Sequence, residues 1–195
     1  MIKKNVGIIH RTYYDSPIGR LCLEDDGEAL TGLYLTQEED GEALTEPYLT
    51  QEGADRKGAV MANLELSETD SSEKQSEIAL CTCTELDEYF TGRRKVFDIP
   101  LHLYGTEFQL KVWNALREIP YGETRTYSDI AAEIGQPLAC RAVGGANNKN
   151  PILLLVPCHR VIGKDGGLTG FACGLHVKEY LLKMEKEKLE DAENP

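Results

Sequence analysis

The chain has 195 residues, enough for one domain or two small ones, and carries a net charge of −12 at pH 7. Its composition is that of an ordinary globular protein, and no run reaches the roughly 18 apolar residues of a membrane-spanning helix. The acidic excess argues against a nucleic-acid partner only until it is resolved along the chain. Residues 1–100 carry −11, residues 101–183 carry +2 and the tail from Met184 carries −3. Only the middle segment can accept a phosphate backbone, through a local patch.

The start, MIKKNVGIIHRTYY, has two lysines, a short apolar patch and no small-residue cleavage site, so it does not read as a signal peptide and a cytoplasmic location is expected. The stretch RTYYDSPIGRLCLEDDGEALTGLYLT predicts two or three strands. Tyr13-Tyr14, then Leu21 and Leu23, then Leu33 and Leu35 alternate with polar residues, and Gly19 and Gly27 signal turns. GEALTGLYLTQEED at 27–40 is nearly repeated as GEALTEPYLTQEGA at 41–54, a tandem duplication too short for a solenoid. With the polar text after it, about 37–75 reads as a mobile insertion. SEIALCTCTELDEYFTG predicts an amphipathic helix stopped by Gly92, and KVFDIPLHL predicts a strand. Residues 1–100 therefore form an α+β lobe.

From Thr106 the pattern is helical. TEFQLKVWNALREIP puts Phe108, Val112, Trp113, Leu116 and Ile119 on one face, with Thr106 as cap and Pro120 as stop. TYSDIAAEIG and PLACRAVGGANN read as two short helices joined around Gly135, a helix-turn-helix. The second is rich in small residues (Ala139, Ala142, Gly144, Gly145, Ala146), which cost helix stability at glycine but permit close approach to another surface. Residues 101–184 are thus expected as a second unit, and 185–195 as an acidic tail.

The six cysteines are Cys22, Cys81, Cys83, Cys140, Cys158 and Cys173. Without a secretory signal they are expected as reduced thiols. The Cys81/Cys83 C-x-C spacing matches no zinc pattern, so neither metal nor cofactor is expected. Cys158 stands apart. In NPILLLVPCHRVIG, residues 150–163, it follows Pro157 and precedes His159 and Arg160.

PCHRVIG, RAVGGANNKNP, YGETRTYSDIA and GGLTGFACGLHVKEYLL occur in the order and spacing of the O6-alkylguanine-DNA alkyltransferases (methylated-DNA–protein-cysteine methyltransferases). The chain resembles that family strongly over about 77–184 and more weakly through SPIG near the start. The resemblance implies a ribonuclease-H-like N-terminal α/β lobe within an α+β fold, and a C-terminal helical lobe with a winged helix-turn-helix and a small strand near 160–170. It implies a DNA-repair activity: transfer of the alkyl group of O6-alkylguanine, and of O4-alkylthymine, in double-stranded DNA to Cys158, by a monomer consumed in one turnover. His159 would act through a water as the base, oriented by Glu179, and Asn150 would brace the active-site turn. Arg141 would fill the gap left by the flipped base, and Tyr127 would help rotate the phosphate and protonate the departing guanine. Ala142 and Gly144 would lie against DNA, and Pro157, Val161, Phe171 and Ala172 would line the base pocket. Phe171 replaces a tyrosine common in that family, and Cys173 and His176 stand where glycine and a non-histidine residue are expected.

The chemistry explains the parts. The lesion is buried in the stack, so the base must be flipped out before a soft thiolate can reach the alkyl carbon. Two other classes stay open. One is a non-catalytic lesion-binding relative, which would lack the acceptor thiol. The other is a cysteine hydrolase, against which the adjacency of Cys158 and His159 argues, because hydrolases draw their base from elsewhere in the chain.

Overall fold

A computed structural model of the protein describes residues 8–36, 38–39, 42–43 and 75–193. Three strands, β1 (His10–Ser16), β2 (Gly19–Asp25) and β3 (Leu30–Leu35), form an antiparallel sheet in the order β1-β2-β3, with Tyr13 opposite Cys22 and Leu23 opposite Leu33. Gly19 closes the first hairpin at φ +116°, a conformation that favours glycine, and a Cβ there would meet only the end of the Leu35 side chain, at 2.8 Å. Leu21, Leu23, Leu30 and Leu33 are buried under α1 (Glu77–Phe90), which contributes Ala79, Leu86 and Tyr89. Ser76 caps α1 by accepting from Ala79 N, and its hydroxyl donates to Asp25 at the end of β2.

The segment KVFDIPLHL (95–103) is not a strand. Only Leu101 bridges, in parallel, to Leu30. Arg94 donates to the Val96 carbonyl and the Asp98 amide donates to Glu85 of α1, so this stretch follows the helix, and Pro100 has no amide to continue a ladder. The expected insertion over about 37–75 lies outside the described residues, apart from residue 75 and the two-residue strands β4 (Glu38–Glu39) and β5 (Glu42–Ala43), which pair antiparallel.

α2 (Glu107–Arg117) begins in a capping box between Thr106 and Gln109. It is followed by β6 (Arg125–Thr126), α3 (Tyr127–Glu133), α4 (Cys140–Asn148), β7 (Val161–Ile162) and α5 (Leu175–Glu193), so the stretch expected as an acidic tail from 185 instead continues α5 to Glu193 and buries Glu185 in the core. Gly135 ends α3 at φ +73°, as expected for the helix-turn-helix. Trp113 Nε1 donates to the Ala146 carbonyl at 2.9 Å and fixes α2 against α4. The strand near 160–170 is β7, which pairs in parallel with β6 and leads into a tight turn closed by Gly163 N donating to Gly167 O. One apolar core, from Leu21 to Met184, runs through both halves. Among the described residues no helix is long and apolar enough to cross a membrane.

Candidate active site

The run Ile152–Val156 is apolar enough to be a strand, yet the chain turns here. Leu154 sits at φ +69°, the only non-glycine residue with positive φ among the described residues. Such a conformation is costly for leucine and persists only where its surroundings fix it. They do so from two sides. The open edge of β3 takes up the start of the run, with Leu33 N donating to Pro151 O at 3.0 Å and Leu153 N to Leu33 O at 2.8 Å. From the end of α4, Asn150 accepts from Ile152 N at 3.0 Å and donates from Nδ2 to Val156 O at 2.6 Å and to Cys158 Sγ at 3.1 Å. Cys158 therefore opens a short 3-10 turn, Cys158–Arg160, and the residue is only 4% exposed. Asn147, one turn earlier on α4, donates to the Cys158 carbonyl.

His159 is fully buried, and its Nε2 lies 2.9 Å from Glu185 Oε1. A proton on Nε2 donated to that carboxylate leaves Nδ1 as the basic nitrogen, and Nδ1 has no hydrogen-bond partner among the described residues. Glu185 also accepts from Arg160 at 2.9–3.3 Å, from the Tyr89 hydroxyl at 2.6 Å and from Gly122 N at 2.9 Å. Arg160 donates in addition to the Ile119 carbonyl.

Glu179, expected to orient His159, is exposed on α5 and makes no hydrogen bond among those of the described residues. The reason is helical phase. The buried face of α5 carries Val177, Lys178, Leu181, Met184 and Glu185, and Glu179 lies one residue outside it. A carboxylate in helical phase with the buried Val177, Leu181 and Met184 was the available signal for Glu185.

Burial pushes the Cys158 thiol up to about 11, against the Asn150 hydrogen bond and the positive charge of Lys178, so the resting group is a thiol. Burial also lowers the His159 pKa, opposed by Glu185, so the imidazole rests neutral. Glu185 is buried too, which favours its acid form, but His159 and Arg160 hold it well below the ordinary carboxylate range. The unfolded chain titrates His159 near 6.5 and the folded chain lower, so this stability is complete above 6.5 and is lost as pH falls below it. Glu185 adds a loss of the same sign below 4.5. The melting temperature should therefore fall between about pH 7.5 and pH 5, and His159→Gln should remove most of that slope. A wild-type profile flat over this window would contradict a buried neutral imidazole.

Around the turn, Tyr127 at the start of α3 donates its hydroxyl to Thr169 O at 2.9 Å, and burial raises its pKa. Lys178 is fully buried, with Nζ donating to the carbonyls of Val161 and Thr169. Burial lowers its pKa, and as a cation it favours the Cys158 thiolate. The sequence reading missed Lys178 and Asn147, both polar groups on helical faces that the pattern marks as core.

Tyr127, Cys140, Arg141, Gly144, Gly145, Asn148, Thr169 and Gly170 line an open groove along α4. Arg141 and Ala142 are exposed, and a Cβ on Gly145 would meet nothing. Phe171 and Ala172 are half-buried in the loop after Thr169, with Phe171 packed on the core and Val161 buried beneath. Pro157 is buried and lines a separate cleft with Phe97, Tyr121 and Leu154, not the groove along α4. Among the described residues no three His, Cys, Asp or Glu side chains converge as a metal site.

Residues 9–103 match the family model described as 6-O-methylguanine DNA methyltransferase, ribonuclease-like domain. Residues 107–187 match 6-O-methylguanine DNA methyltransferase, DNA binding domain. A methylated-DNA–protein-cysteine methyltransferase of Methanosarcina acetivorans is 64% identical over 101 residues, a match covering 52% of this chain and 65% of that protein. The chain thus spans about two-thirds of that relative's length. The constitutive methylated-DNA–protein-cysteine methyltransferase of Bacillus subtilis is 42% identical over 90% of this chain and 94% of its own. The crystal structure of Mycobacterium tuberculosis OGT in complex with DNA superposes with a TM-score of 0.69 at 39% identity, over 92% of this chain and 94% of that one.

Proposed function

Because this chain belongs to the 6-O-methylguanine DNA methyltransferase family, we propose that it repairs alkylated DNA by direct reversal, moving the alkyl group of O6-alkylguanine, and of O4-alkylthymine, onto its own Cys158. The observation that carries this reading is the buried thiol braced by Asn150 and backed by a neutral His159 whose free Nδ1 is set by Glu185.

The substrate is double-stranded DNA, bound by a monomer. The unit 101–184 docks on the duplex through α4, and the unit 1–100 braces the nucleophile turn through the edge of β3. Ala142 and Gly144 let α4 approach closely. The alkylated base leaves the stack, and Arg141 takes its place. Val161, Phe171 and Ala172 surround the extruded base beside Cys158.

The reaction is a displacement at saturated carbon. The Cys158 proton passes through a water to His159 Nδ1, and the imidazolium that forms is stabilised by Glu185. The thiolate sulfur forms a bond to the alkyl carbon as the carbon–O6 bond breaks. Tyr127 supplies a proton to the departing guanine, and the proton held by the His159 imidazolium is returned to it through solvent, so neither a tyrosinate nor an imidazolium remains. The product is an S-alkyl thioether.

Reaction with a duplex carrying O6-methylguanine, followed by peptide mapping, should place one methyl group on the peptide containing Cys158. Alkylation mainly at Cys140 or Cys173 would contradict the assignment.

A further inference from the structure

Leu138 is 99% exposed, the most exposed large apolar side chain among the described residues. Single exposed leucines are ordinary on protein surfaces; the placement of this one is not. It lies in the turn between α3 and α4, which is pinned by Ala139 N donating to Gln136 O at 2.9 Å, three residues before Arg141. In a chain of net charge −12, no Asp or Glu occurs between Glu133 and Asp165. The exposed cations in that interval are Arg141, Lys149 and Lys164, and none has a carboxylate within ion-pair distance among the described residues.

The groove along α4 is lined by Arg141 and by no carboxylate, so it suits a polyanion, yet this stretch of chain offers few charges. Neutralising about three phosphates gives a log affinity–log salt slope near −3, a modest electrostatic contribution. The remaining affinity must come from contacts that salt does not screen. A leucine wholly surrounded by water gains the most from being covered.

The geometry points to Leu138 as an apolar DNA contact that packs against the sugar and base edges beside the place where Arg141 enters, and that supplies a salt-independent part of the binding. The assignment rests on α4 being the DNA-docking helix, as argued above. It adds a contact made before chemistry and independent of the flipped base.

The test is titration of the whole protein with an unmodified duplex at about 50 and 200 mM salt, together with the rate of alkyl transfer from free O6-benzylguanine. Leu138→Ala should weaken duplex binding about tenfold at both salt concentrations, with the salt slope and the free-base rate unchanged. Leu138→Met, which keeps the apolar volume, should bind within about twofold of wild type. Lys149→Ala, in contrast, should reduce the slope by about 1. Leu138→Ala binding within twofold of wild type at both salts, while Arg141→Ala still slows duplex repair, would overturn the Leu138 assignment alone. Equal loss of the free-base reaction would overturn it in favour of a structural role. A wild-type protein that binds no duplex would overturn the docking reading itself.

Discussion

Glu185→Ala should slow alkyl transfer from free O6-benzylguanine on the order of a hundredfold, the usual scale for losing a positioned base, and should destabilise the protein by about 3–5 kcal/mol. Both effects have one origin. Glu185 is wholly buried and joins His159, Arg160, Tyr89 and Gly122 in one hydrogen-bonded cluster. Without it, the Arg160 guanidinium is left as an uncompensated buried charge, and His159 loses the acceptor that fixes its proton on Nε2. Glu185→Gln keeps the shape and some of the hydrogen bonds but removes the charge that stabilises the imidazolium, so its rate should fall more than its stability. Glu179→Ala should leave both within about twofold, because that side chain points to solvent. Thermal denaturation and the free-base rate for the three variants check this. A strong defect in Glu179→Ala with a mild one in Glu185→Ala would reverse the assignment.

The second large effect separates docking from chemistry. Arg141→Ala should slow repair of O6-methylguanine in duplex DNA on the order of a hundredfold, reflecting the few kcal/mol of unstacking that the side chain offsets. Reaction with free O6-benzylguanine should be unchanged. Arg141 is exposed on α4, lines the groove with Tyr127 and Gly144, and touches nothing in the cluster behind Cys158. Equal slowing of both reactions would assign it a structural role instead.

Motifs that depend on neighbours in sequence were legible before the structure. Cys158, His159 and Asn150 lie within one short segment, and the structure brings them together through local turns and side-chain bonds. α1, α2 and the helix-turn-helix pair announced themselves by caps and apolar period, as at Thr106 and Gly135, whereas α5 did not, because its charged second half reads as a tail. Residues whose partners are distant in sequence were not legible. Glu185 meets His159 only because α5 places one carboxylate of several on its buried face, and choosing among them required the helix phase as well as the motif. Lys178 falls on the buried face of α5, but its role is not legible until its carbonyl partners are seen. The segment 95–103 alternates like a strand, but the Asp98 amide bonds to Glu85 of α1, Arg94 takes the Val96 carbonyl, and Pro100 has no amide, and these outweigh that pattern. Nor could the sequence show that the edge of β3 takes up the nucleophile run, since that pairing joins residues more than a hundred positions apart.

The central claim is that Cys158 is consumed by the reaction. His159 and Glu185 are both committed to forming the thiolate, and hydrolysis of a thioether would need an activated water and a second catalytic group. The direct measurement is a titration of fixed protein with excess duplex containing O6-methylguanine, counting repaired guanine at long times. A burst that stops at one repaired base per protein molecule, and is abolished by Cys158→Ala, is the predicted result. A plateau well above one would contradict stoichiometric transfer and favour a hydrolytic use of the same cysteine.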